Sequence, residues 1–88
     1  MQIVTIRDHE FYVDVNNKKL YIKNDEFDEL DPVYELKLWH GLDGSYAIYI
    51  TTKYRAGCIM SDLTPQELIE WNDLYNIIPK GELWYEQE

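Results

Sequence analysis

The sequence predicts an α+β fold: a mostly antiparallel, meander-like sheet of about five strands, with one helix over about 65–78 packed on one face. Three observations carry this expectation. Apolar and polar residues alternate with a period of two through the first two-thirds of the chain, which is the side-chain period of a strand. Short turn signals separate the alternating segments. One later segment changes to a helical period and brings its own start signal.

Taken in order, Val4 and Ile6 point to one face, with Ile3, Thr5 and Arg7 opposite. After Asp8-His9-Glu10, Phe11, Val13 and Val15 share a face against Tyr12 and Asp14. Asn16-Asn17 reads as a tight turn, because Asn tolerates positive φ better than most residues. Leu20 and Ile22 continue the apolar face, opposite Tyr21 and Lys23. From Asn24 to Asp31 the alternation stops, and five of the eight residues are acids. Phe27 and Leu30, three apart, suit one helical turn pinned to the core and capped by Asn24 or Asp25. Pro32 disfavours helical geometry at Asp31 and ends that turn.

Alternation resumes at Tyr34, Leu36 and Leu38, against Glu35, Lys37 and Trp39. Gly41-Leu42-Asp43-Gly44 reads as a hairpin loop. Tyr46, Ile48, Ile50, Thr52 and Tyr54 then face Ala47, Tyr49, Thr51 and Lys53 across a β-branched run that suits a central strand. Thr64-Pro65-Gln66-Glu67 has the spacing of a capping box with proline at the first helical position. Leu68, Trp71, Leu74, Tyr75 and Ile78 form one helical stripe, and Pro79 and Gly81 close it. Leu83, Trp84 and Tyr85 are read as a short edge strand or a packed tail. One helix covers one face of such a sheet, which leaves Tyr12, Tyr21, Trp39 and Tyr49 on a partly open second face.

Length and charge bound the function. The 88-residue chain fits a single domain, 1–88, and carries a formal net charge of −9. The charge does not signal disorder, since 45% of the residues are hydrophobic and 15% aromatic. No apolar run is long enough to span a membrane, and Met1–Glu10 lacks the pattern of a secretory signal. Cys58 is the single cysteine, which excludes an intramolecular disulfide and, with the missing signal, reads as cytoplasmic. Direct nucleic-acid binding is not expected of a chain this acidic, whereas a partner with a basic surface is.

His9, His40 and Cys58 have no metal-ligand spacing. The acids of Asp25–Asp31 lack the alternation, glycine and closing glutamate of a calcium loop. Cys58, beside Ile59 and Met60, reads as a small buried hydrophobe rather than a nucleophile. Asp8 and Glu10 around His9 read as exposed loop residues rather than an acid–base cluster. Ser45 and Ser61 occupy no nucleophile elbow, and the glycines build no phosphate loop. No catalytic residue, metal or cofactor is therefore expected.

Two surfaces remain as candidates for contact with a partner: the acids at Asp25, Glu26, Asp28, Glu29, Asp31, Glu70 and Asp73, and the aromatic anchors Phe27, Trp39, Tyr49 and Trp84. In size, charge, compactness and lack of catalytic motifs the chain resembles, in general character, the small acidic inhibitors made by phages, the anti-restriction and anti-CRISPR proteins. The resemblance implies a non-enzymatic inhibitor that occludes a basic nucleic-acid-binding surface of a partner enzyme, as a DNA mimic does, in a monomer or homodimer. The alternatives are an immunity protein that neutralises a basic nuclease toxin, a structural or accessory phage protein that oligomerises through the aromatic face, and a small enzyme or ligand-binding domain built on Cys58 or His9.

Overall fold

A computed structural model describes residues 1–24 and 26–78, together with the backbone pairing of 86–87. The strands β1 (Gln2–Ile6), β2 (His9–Asp14), β3 (Lys19–Asn24), β4 (Glu29–His40), β5 (Tyr46–Thr52) and β6 (Ala56–Met60) form an antiparallel meander in sequence order. The helix α1 (Pro65–Ile77) follows, and the two-residue β7 (Glu86–Gln87) pairs parallel with β4. The class is α+β as the alternation predicts, with a sixth meander strand where about five were expected. The added strand, β6, contains Gly57 and Cys58 and lacks a clean alternation, so its sequence does not announce it.

The core lies on one face of the sheet. Ile6, Phe11, Val13, Leu20, Ile22, Leu36, Ile48 and Ile50 bury there with Trp71, Leu74 and Ile78 from the helix side. Alternation places most of these residues correctly because register converts a period of two directly into a face. Val15 departs from it and is exposed, because β2 ends at Asp14, whose carboxylate accepts from the amide and the side chain of Asn17 at 3.1 and 2.8 Å.

The stretch from Asn24 to Asp31 is not helical. It is a hairpin, with β3 paired to β4 from Asn24↔Glu29 to Tyr21↔Pro32. Asn24 does cap, but it caps a turn: its Oδ1 accepts from the Glu26 and Phe27 amides at 3.1 and 3.4 Å. Phe27 is consequently at the tip and 62% exposed rather than pinned to the core. Pro32 sits inside β4, where β5 first pairs at Val33. Its missing N–H thus costs no ladder bond on that side.

β4 is twelve residues long and serves two neighbours, β3 along its first part and β5 from Val33 onward. A bulge between Val33 and Glu35 shifts its phase. Asp31 and Val33 are buried before it and Leu36 and Leu38 after it, so Tyr34, expected in the core, is exposed. Likewise β5 ends at Thr52, whose hydroxyl accepts the amides of Tyr54 and Arg55, each at 3.1 Å, and Tyr54 turns outward. The β4–β5 loop follows the glycine signal, with Gly44 at φ 88, a conformation that favours glycine.

The helix begins as the capping box requires. Thr64 Oγ1 accepts from the Glu67 amide at 3.2 Å, and the Thr64 amide donates to Glu67 Oε1 at 2.9 Å. Trp71, Leu74 and Ile78 are buried, and Leu68 and Tyr75 pack half-buried beside them. Pro79 and Gly81, expected to close the helix, and Leu83–Tyr85 lie outside the described residues. No helix among the described residues is long and apolar enough to cross a membrane.

Leu74→Ala removes a fully buried side chain from the centre of this packing. We expect a loss of about 2–5 kcal/mol, read from the midpoint of urea unfolding at unchanged m-value.

Candidate functional site

In an up-and-down meander the β1–β2, β3–β4 and β5–β6 turns fall at one end of the sheet. Here the sheet also curls, so its first and last hairpins approach each other. Arg7, in the β1–β2 turn, donates through Nη2 to the Ser61 carbonyl beyond β6 at 3.1 Å. The same guanidinium grips Glu67 in the first turn of α1, Nε to Oε2 at 2.8 Å and Nη2 to Oε1 at 2.9 Å. Such a two-pronged pair holds orientation better than an ordinary surface ion pair. Glu67 thereby closes the capping box and the sheet at once.

Between the three turns lies a cleft of about 790 Å³. Arg7 and His9 border it from the first hairpin, Phe27 and Asp31 from the second, and Tyr54 and Arg55 from the third. Asp31 is only 1% exposed, which corrects its expected place among the accessible acids. It faces inward because it lies on the core side of β4, paired with Ile22. Its Oδ2 accepts from Asn24 Nδ2 at 3.0 Å, whereas Oδ1 is buried without a hydrogen-bond partner among the described residues. A buried acceptor left unpaired costs about 1–3 kcal/mol, more when charged.

The remaining candidates separate into three places. Glu26, Asp28 and Glu29 are exposed around Phe27 at the β3–β4 tip, where Lys23 Nζ approaches Asp28 Oδ1 at 3.3 Å. Trp39 and Tyr49 are exposed on the outer sheet face, and the Trp39 indole lies so close to Gly41 that an added Cβ there would meet the ring at 2.8 Å. Trp39 lies ten positions along β4 from Glu29, on the order of 30 Å of extended chain, so tip and outer face are distinct surfaces. Glu70, half-buried, and Asp73, exposed, stand on α1, which packs by β1. Asp25 and Trp84 lie outside the described residues.

Cys58 is exposed on β6, contrary to the expected buried position, because an edge strand turns it outward opposite Tyr49. Its thiol donates to the Met60 carbonyl at 3.2 Å. A hollow of about 210 Å³ is lined by both Cys58 and His9. Burial lowers the His9 pKa from its ordinary value and the nearby Arg55 guanidinium adds to this, against the opposing influence of Asp8 and the Ile59 backbone. Among the described residues no group of three His, Cys, Asp or Glu could hold a metal ion.

Sequence reasoning missed Tyr54 and Arg55 as site residues, and it misplaced Asp31. The first pair lies in the turn before β6, a strand without clean alternation, so nothing local marks the turn that carries it. For Asp31 no local signal separates an acid before proline at a helical stop from one inside a strand. No protein family, curated protein or solved structure matches this chain.

Acid should weaken this end of the molecule in two stages. His9, with its folded-state pKa lowered, contributes stability that is present above its ordinary value of 6.5 and is lost as pH falls through the lowered one. Glu67, held at about 2 chiefly by the Arg7 hydrogen bond, contributes stability present above 4.5 and lost as pH falls toward that value. Thermal midpoints recorded from pH 7 to pH 2 should fall through both ranges. His9→Gln should remove the upper stage, and Arg7→Ala should flatten the lower one.

Proposed function

We propose that the chain is a non-catalytic binding protein whose acidic β3–β4 tip engages a basic surface, and that it acts by occluding the nucleic-acid-binding face of a partner enzyme. One observation carries the reading: Phe27 is 62% exposed at the tip of a hairpin and is surrounded by the exposed carboxylates of Glu26, Asp28 and Glu29. An exposed aromatic ring anchors a contact once it is desolvated, and the acids around it steer a basic partner toward it. The net charge of −9 supplies the long-range part of that attraction. The general resemblance to phage-made inhibitors supports occlusion as the mode of action. Asp31, being buried, is no part of this surface, and its replacement by lysine would disrupt the fold rather than report on binding.

The test is retention by the immobilised protein of nucleic-acid-binding enzymes from a lysate of the organism that carries the chain, identified by mass spectrometry and eluted by salt. Asp28 is best left in place, because it adopts φ 50 and pairs with Lys23. Glu26→Lys with Glu29→Lys should lower the association rate of the captured enzyme about tenfold or more at low salt, with little change in thermal midpoint. Phe27→Ala should raise the dissociation rate, by a free energy of about 2 kcal/mol if the ring is the central anchor. The reading fails if no such enzyme is retained at low salt, or if both variants bind it as the parent does.

A further inference from the structure

We propose that the cleft between the three hairpin turns is a guanidinium pocket, which receives an arginine side chain of the partner over the buried carboxylate of Asp31. The inference rests on the reading of the partner as basic, and it adds a specific seat for one of its side chains.

Charge selects the ligand. Two of the cations bordering the cleft are already engaged, Arg7 with Glu67 and the Ser61 carbonyl, Lys23 with Asp28. Arg55 stands on the His9 side. Against it, Asp8, Glu10, Glu26 and Asp31 border the same cleft, and none of them has an ion pair among the described residues. Glu10 accepts the Tyr12 hydroxyl, at 3.1 Å.

The buried carboxylate then points to a site rather than to a merely acidic surface. Asp31 Oδ1 has no donor among the described residues, although Asn24 satisfies Oδ2 of the same group. It borders the cleft from just below its surface, so an occupant of the cleft lies close to the unpaired oxygen. An incoming guanidinium brings donors to an acceptor that has no partner among the described residues.

The walls favour arginine over lysine. Phe27 and Tyr54 are 62% and 59% exposed on two different hairpins that border the cleft. A planar, weakly hydrated guanidinium stacks on such rings and carries enough donors to reach more than one carboxylate. The Tyr54 ring already takes the Lys53 ammonium at 5.5 Å, so Phe27 supplies the freer stacking surface.

The probe is acetyl-Gly-Arg-Gly-amide, titrated into the full-length ¹⁵N-labelled protein, with acetyl-Gly-Lys-Gly-amide and acetyl-Gly-Glu-Gly-amide as comparisons. The arginine peptide should give saturable shifts centred on Asn24, Asp31 and Tyr54, should bind more tightly than the lysine peptide, and should leave Glu70 and Asp73 unmoved. Asp31→Asn, which keeps the side-chain shape, should weaken binding tenfold or more. Phe27→Ala, at an exposed position, should weaken it as well and serves if Asp31→Asn fails to fold. Shifts spread evenly over the acidic surface, equal binding of the three peptides, or undiminished binding by the folded variants would overturn the pocket. If the peptide does not seat while a partner is still captured through the tip, the pocket fails and the binding reading stands. If the peptide seats and no partner is captured, the binding reading fails and the pocket stands as a guanidinium site alone.

Discussion

A six-stranded antiparallel sheet presents one continuous apolar face, and a thirteen-residue helix covers only part of it. Most of the structure follows from that shortage. The sheet closes on itself as far as it can, so that Ile6 on the first strand and Met60 on the last belong to one core with Trp71 and Leu74. β4 makes the closure feasible, since it is long enough to border β3 and then β5 and its bulge lets the two parts of the sheet take different directions. Arg7 fixes the result by tying the first hairpin to the chain beyond β6 and to the helix start. The convergence of three hairpin turns around a cleft is thus a consequence of how the core is buried.

What was legible in the sequence is what local physics determines. The capping box at Thr64 and Glu67 needs only four consecutive residues, and it formed as its spacing requires. Phe11, Val13, Leu20 and Ile22 took the face their alternation assigns. Where alternation was broken by a long-range requirement, the reading failed. The β4 bulge moved Tyr34 out of the core, and no residue in its neighbourhood foretells that. Asp31 before Pro32 looked like a helical stop, because the same dipeptide suits a stop and a strand position beyond the reach of the next ladder. The Arg7–Glu67 pair joins residues 60 apart, beyond any window of periodicity.

The acidic residues, treated in sequence as one surface, divide in space. Glu26, Asp28 and Glu29 make a tip with an aromatic centre, Asp31 lies beneath a cleft, and Glu70 and Asp73 belong to the helix. Trp39 and Tyr49 form part of a different, outer face. The division matters for mechanism, because charges that steer a partner act at a distance whereas an anchor acts only in contact. Phe27 stands at the tip and also borders the cleft.

The cleft and the shared core both depend on the approach of the first hairpin to the last meander strand. Nuclear Overhauser contacts in the unmodified protein measure it. The curled sheet predicts cross-peaks between the His9 ring and Ile59, and between the Arg7 side chain and Ser61, alongside the ordinary contacts of adjacent strands. A spectrum with all adjacent-strand contacts intact and neither of these pairs would mean an open sheet, with no shared cleft, and would contradict the account.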